Sequence, residues 1–334
     1  MLLLHSTQKL TRRFAMFAAL TLICLPLGDP ARADDGAKYR IVGTVGMVTD
    51  IVAQVAGDRA EVDGLMGSGV DPHLYKPNRN DIRKLMQADV IFYNGLLLEG
   101  KMADALIRAA TAGKKVYAVT ELLEEDYLLS PEEFEGLFDP HVWMDPSAWA
   151  KAVEVIRDKL TEFDPEGANI YEANADAAIQ RIHELDAYAE RVLTSVPASS
   201  RVLVTAHDAF NYFGKRFGYE VVGIQGISTE SEAGVQDIEK LVSLLVEREI
   251  GAVFVESTVS QRNIRALIEG AAARGHEVVI GGELFSDAMG DDGTYEGTYL
   301  GMIDHNTSTV AKALGGNVPP GGMQGKLKDE GHGH

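Results

Sequence analysis

The chain has 334 residues, 46% of them hydrophobic and 24% charged, with a mean hydropathy of −0.06. That composition is globular, neither disordered nor membrane-embedded, and the length suits two domains. With 31 basic and 50 acidic side chains the net charge is −19, which repels phosphate backbones and anionic lipid and argues against nucleic acid as a partner.

Lys9, Arg12 and Arg13 precede an apolar run, Phe14 to Leu27, followed by Ala31-Arg32-Ala33 and then Asp34-Asp35. A basic stretch, a short apolar stretch and an A-x-A site read as a secretory signal peptide, with cleavage expected after Ala33 and a periplasmic destination. The apolar run is too short to cross a hydrocarbon core of ~30 Å as a helix. Ala15 stands where a twin-arginine signal wants a bulky residue, so ordinary secretion is favoured. The single cysteine, Cys24, lies inside this run behind Ile23, which is too bulky for a lipoprotein cleavage site. The mature chain then has no cysteine, which excludes disulfides, thiolate nucleophiles and thiolate metal ligands.

Downstream, Tyr39–Val45 reads as a strand entering a helix near Asp50–Gly57. A short helix follows at Asp81–Gln87, a strand at Val90–Tyr93, a helix at Lys101–Ala112 and a strand at Lys115–Val119. Strands alternating with helices predict a parallel sheet. Leu123–Asp139 is acidic and irregular, a surface loop. Pro146 to Val196 is helical, broken near Asp164-Pro165, and after the break Ile182, Leu185, Ala189, Val192 and Val196 recur at 3-4-3-4 spacing. About thirty helical residues would span roughly 45 Å, enough for a strut between two lobes or for one long surface helix. A second alternating block follows: strands at Arg201–Thr205, Glu220–Ile224, Ala252–Val255 and Glu277–Ile280, helices at Ala209–Phe217, Val235–Glu249 and Ser260–Arg274, and a closing helix at Thr307–Leu314. The expected division is a signal peptide (1–33), an N-terminal α/β lobe (34–164), a linking helix (165–197), a C-terminal α/β lobe (198–315) and a flexible tail (316–334).

Asp71-Pro72-His73 and Asp139-Pro140-His141 are the same tripeptide in two loops, each with proline stiffening the chain before the histidine. His207 directly follows the strand at Arg201–Thr205, and Asp287 follows the strand one block later. Ligands of parallel α/β sheets sit at carboxyl strand ends, so both are well placed. Three imidazoles and a carboxylate can converge on one cation, and that donor set suits zinc, manganese or ferrous iron. Spacing alone leaves such a site and a set of unrelated loop histidines equally open. His183 reads as solvated on the strut, His276 as part of a turn, and His305 as a residue preceding the last helix, with Asn306 near its cap. His332 and His334 lie in the tail. Asp71, Asp139, Asp208 and Glu256 are candidate acceptors for imidazole N–H groups. An EF-hand reading of Asp287, Asp291 and Asp292 fails at Met289 and at Asp292. No catalytic motif such as H-E-x-x-H or G-x-S-x-G occurs.

The segments Asp71-Pro72-His73-Leu74-Tyr75-Lys76-Pro77, Asp139-Pro140-His141-Val142-Trp143-Met144-Asp145-Pro146, Thr205-Ala206-His207-Asp208-Ala209-Phe210-Asn211-Tyr212-Phe213 and Leu284-Phe285-Ser286-Asp287-Ala288-Met289-Gly290, in that order behind a signal peptide, make the chain resemble the metal-binding solute-binding proteins of ABC importers, the cluster A-I or TroA-like family. The resemblance covers almost all of the mature chain. It implies two α/β lobes with parallel sheets bridged by a single long helix, and a metal site in the interlobe cleft formed by His73, His141, His207 and Asp287. It implies Zn2+ or Mn2+, with Fe2+ possible, as transported ligand, an ABC permease in the inner membrane as partner, a monomer, and no enzymatic activity. Zinc importers of this family often carry a His-rich loop before the second motif, and here Glu124–Asp139 has no histidine. Many manganese and iron members have Glu at the third position, where this chain has His207. Gly290–Asn306 looks most like the TroA branch, which handles zinc and manganese. The competing reading is a secreted zinc-dependent hydrolase with three histidine ligands, an open position and Asp287 as base; a sugar- or peptide-binding protein is a third. Histidine ligation predicts weaker metal binding below about pH 6, given an unperturbed imidazole pKa near ~6.5.

Overall fold

The computed structural model describes residues 38–131, 134 and 136–328. The expected signal peptide and the tail residues His332 and His334 lie outside the described residues.

The first lobe is built on a parallel sheet in the order β2-β1-β3-β4. Its strands are β1 (Tyr39–Gly43), β2 (Ala60–Gly64), β3 (Val90–Tyr93) and β4 (Lys115–Ala118). β1 and β3 are the central pair, and Ile41, Val42 and Val90–Phe92 are buried, as central parallel strands require. Helix α1 (Gly46–Ala56) lays Met47, Val48, Ile51, Val52 and Val55 into the core. Helix α2 (Arg79–Gln87) starts with a capping box between Asn78 and Asp81, and α3 (Ala103–Thr111) returns the chain to β4.

Two helices follow, the second the long one. In α4 (Pro146–Phe163) Pro146 occupies the first turn, where its missing N–H costs nothing, and the Asp145 carboxylate caps the backbone of Ser147 and Ala148. In α5 (Ala168–Thr194) the 27 residues are about 40 Å long at ~1.5 Å per residue. Ile182, Leu185, Ala189 and Val192 are buried as the 3-4 spacing predicts, and His183 is exposed on the opposite face.

The second lobe pairs β5 (Val202–His207) with β6 (Glu220–Gln225) and β7 (Ala252–Glu256) with β8 (Val279–Leu284), both parallel, with β5 beside β7. The helices α6 (Asn211–Phe217), α7 (Val235–Glu247) and α8 (Arg262–Ala273) cover them, and α9 (Tyr299–Ala313) packs on α5, β8 and also α1. One hydrophobic cluster runs from the first sheet through α4, α5 and α6 to α9; a second fills the space between β5, β7, α7 and α8.

Several expectations shift. β2 was not foreseen, because only Ala60 of its five residues is buried and no alternation survives. β8 continues past Ile280 to Leu284 through Gly281-Gly282. α9 begins at Tyr299, eight residues before the expected start, capped by the Thr298 hydroxyl accepting from the Gly301 N–H. His305 is therefore inside the helix, its Nε2 2.9 Å from the Glu283 carbonyl, and Asn306 is no cap: it accepts from Phe285 N–H and donates to Phe285 C=O. Finally, the segment after α9 was expected to fray, yet Asn317 N–H donates to Ser195 and Met323 N–H to the buried Asp304 carboxylate.

Candidate metal centre

The two D-P-H loops have one local design. In each, the aspartate Oδ1 accepts the backbone N–H of the histidine two residues on: Asp71 from His73 at 2.8 Å and Asp139 from His141 at 3.0 Å. Such a turn closes on the aspartate side chain while proline restricts the residue between. His207 is the last residue of β5 rather than the residue after it, and Asp287 lies three residues beyond β8. The first lobe thus supplies two of the groups and the second lobe the other two.

The four side chains meet. One ligand-type atom from each of His73, His141, His207 and Asp287 lies within 4.8 Å of all the others. His141 Nε2 is 3.2 Å from Asp287 Oδ1, His207 Nε2 is 3.2 Å from Asp287 Oδ2, and His73 Nε2 is 3.4 Å from His141 Nε2 and 3.6 Å from Asp287 Oδ2. A tetrahedral zinc site with bonds of about 2.0–2.1 Å has ligand–ligand edges of about 3.3 Å, so the spacing fits a single cation at the centre. All four residues are at most 4% exposed. With the facing Nε2 atoms unprotonated, as metal ligation requires, His207 Nε2 and both Asp287 oxygens have no hydrogen-bond partner. A buried orphan of this kind costs about 1–3 kcal/mol, and three at one spot mark a place where a cation would supply the missing partner.

Carboxylates behind the ring fix two of the imidazoles. Asp139 Oδ1 is 2.7 Å from His141 Nδ1, and Glu256 Oε2 is 2.5 Å from His207 Nδ1 while its Oε1 accepts the His207 backbone N–H at 2.8 Å. Each carboxylate holds the proton on Nδ1 and so leaves Nε2 as the lone-pair donor facing the centre. Of the four candidate acceptors, Asp139 and Glu256 hold rings, Asp71 takes the backbone N–H of His73 and not its ring, and Asp208 accepts from Asn211. Trp143, two residues past His141, donates its indole N–H across to the Ser286 carbonyl beside Asp287 at 3.0 Å. Sequence reasoning missed Trp143 and the Asn306 clamp on Phe285, since neither role has a local pattern.

The electrostatics follow from this packing. Burial pulls His73 down to about 3. Burial also lowers His141, but the Asp139 carboxylate and its hydrogen bond, joined by Asp287, outweigh it and push His141 up to about 9. His207 is likewise raised, because Glu256 and Asp287 overcome burial. Asp287 is held well below the usual carboxylate range despite its burial, chiefly by His207 and His141. A site that gathers positive charge this way is one a divalent cation can take over by displacing protons.

A family model described as zinc-uptake complex component A, periplasmic (ZnuA), matches residues 41–313. The chain belongs to the ZnuA family. Among the ZnuA-family relatives, the manganese-binding lipoprotein MntA of Bacillus subtilis is 44% identical over 286 residues, 86% of this chain and 93% of that protein. The zinc-binding protein TroA of Treponema pallidum is 45% identical over 287 residues, 86% of this chain and 92% of that one. The solved structure of periplasmic zinc-binding TroA matches with a TM-score of 0.80, covering 83% of this chain and 99% of that chain. The iron-binding protein YfeA of Yersinia pestis is 31% identical over 296 residues, 86% of this chain and 90% of that protein. This ZnuA-family chain therefore has the two-lobed α/β fold of transporter solute-binding proteins, with parallel sheets and one long helix.

Proposed function

We propose that this chain captures a divalent transition metal outside the cytoplasm and delivers it to a membrane ABC permease, with His73, His141, His207 and Asp287 as the ligands. The convergence of three imidazole nitrogens and a carboxylate, two from each lobe, on one buried cation-sized point carries this reading. The relatives' names divide between zinc, manganese and iron. Three nitrogens and a carboxylate bind zinc more tightly than manganese or ferrous iron, so zinc is the tightest of the three here and the metal carried in the cell follows availability.

The hydrolase alternative needs an open coordination position, a free base and room for substrate. Asp287 instead puts both oxygens among the imidazole nitrogens. A cavity of about 770 Å³ lies between α9 and the segment that follows it, lined by Phe285, His305 and Pro319, and none of the four ligands lines it. The metal is the cargo, and the protein is not an enzyme. We take the leader as cleaved after Ala33, although relatives such as MntA are named lipoproteins and so point to an anchored form, the lobes as 34–164 and 198–315 joined by 165–197, and the working form as a monomer.

Titration calorimetry with zinc, manganese and ferrous iron on the wild type, His207→Ala and Asp287→Ala tests the reading. One equivalent should bind the wild type, and each variant should lose orders of magnitude in affinity while keeping its circular dichroism spectrum. Unchanged affinity in both variants would refute the site.

A further inference from the structure

The twin D-P-H aspartates each spend one oxygen on their own loop and send the other across to the opposite lobe. Asp139 Oδ2 accepts from Asn211 Nδ2 at 3.1 Å, and Asp71 Oδ2 accepts from the Thr229 hydroxyl at 2.6 Å. The two crossings differ in what stands behind them. Asn211 opens α6, and its neighbour Tyr212 donates to the Asp139 carbonyl at 2.9 Å, so the His141 loop rests on a helix. Thr229 sits on the irregular connection 226–234 between β6 and α7. Two successive residues of that connection reach the first lobe: Thr229 to Asp71, and Glu230 to Lys101 at 3.3 Å.

These two contacts are unequal. Lys101 and Glu230 are 30% and 51% exposed, and an ion pair so open to water is worth little. Thr229 is 7% exposed, and its bond to a carboxylate is charge-assisted. His73 is also the ligand whose placement depends most on this bond. His141 and His207 rest their rings on Asp139 and Glu256, whereas Asp71 takes the backbone N–H of His73 and not its ring. The order of dependence runs from Thr229 to Asp71 to His73.

Resting on the metal-capture reading, we propose that Thr229 is a positioning residue that governs metal release. Its hydroxyl holds Asp71, and through it His73, in the closed centre, and the cation leaves when the 226–234 connection lets go of Asp71. Contact with a permease that drew this connection away would loosen one ligand without touching the other three.

The test is stopped-flow release of zinc from the loaded full-length chain into excess EDTA, for wild type, Thr229→Val and Thr229→Ser. Valine keeps the shape and removes the donor. Release should quicken roughly ten- to hundredfold in Thr229→Val, the effect of losing one hydrogen bond to a charged acceptor. Thr229→Ser should return to within a few-fold of wild type, and the zinc association rate should stay level across the three, which a merely structural role would not produce. Release from Thr229→Val at the wild-type rate, or from Thr229→Ser as fast as from Thr229→Val, overturns the proposal while leaving metal capture intact. A wild-type chain that holds no zinc removes metal capture itself, and the latch with it.

Discussion

Replacing Glu256 by Gln probes how an imidazole becomes a ligand in this centre. Glu256 accepts two N–H groups from one residue, the His207 backbone N–H at 2.8 Å and the ring at Nδ1, at 2.5 Å, and it is 2% exposed. A glutamine has the same shape but only one acceptor oxygen. If that oxygen keeps the backbone N–H, the amide NH₂ faces Nδ1 and favours the tautomer with the proton on Nε2, the atom that lies 3.2 Å from Asp287. A protonated Nε2 has no lone pair for a metal. Restoring the tautomer leaves a donor facing a donor in a dry site, at about 1–3 kcal/mol. Outer carboxylates of this kind are worth 10–100-fold in metal affinity, about 1.4–2.8 kcal/mol, and the two estimates agree. Glu256→Gln should therefore weaken zinc binding by roughly 10–100-fold in competition calorimetry, with stoichiometry still one. An affinity within twofold of wild type would refute the claim that Glu256 sets the His207 tautomer.

Binding should also depend on pH well above the range that unperturbed histidines suggest. In the metal-free chain, against the pull of burial, the Asp139 and Asp287 carboxylates push His141 up to about 9, and Glu256 and Asp287 raise His207, so protons compete with a cation for these two rings, while burial pulls His73 down to about 3 and removes it from that competition. Affinity should fall as pH drops below about 9, the position of His141, with the raised His207 steepening the fall, and calorimetry in buffers of different ionisation enthalpy should show net proton release on binding at pH 7. An affinity flat between pH 7 and 8.5 would contradict this. Trp143→Phe removes the indole donor and leaves the Ser286 carbonyl unpaired beside Asp287. It should lower metal affinity about tenfold and cost about 1–3 kcal/mol of loaded-state stability by thermal melting; no change in either would mean that the bond across the lobes does not support Asp287.

The centre was more legible in the sequence than the scaffold around it. Asp71-Pro72-His73 and Asp139-Pro140-His141 betray themselves because the turn needs the aspartate and the proline at fixed offsets, so the pattern is local. His207 and Asp287 were readable only as residues at strand ends, and their meeting with the first two depends on how two lobes dock. The rest was hidden for stated reasons. β2 lies at the sheet edge, where Glu61, Asp63 and Gly64 leave no periodic signal. α9 is interrupted in sequence by Gly301 and by the polar run Asp304-His305-Asn306, yet all but His305 of these are buried against neighbours, so polar residues stand where an apolar stripe was sought. Thr298 before that helix was the one available start signal. Thr229, Trp143 and Asn306 act through partners 158, 143 and 21 residues away, which no reading of neighbouring residues reveals.

Where the metal sits decides whether His73, His141, His207 and Asp287 are its ligands. Crystals of the zinc-loaded protein, measured on both sides of the zinc absorption edge, should show one anomalous peak about 2.0–2.2 Å from Nε2 of His73, His141 and His207 and from an Asp287 oxygen. A peak elsewhere on the molecule, or none at these four side chains in a protein shown to hold one equivalent of zinc, would contradict it.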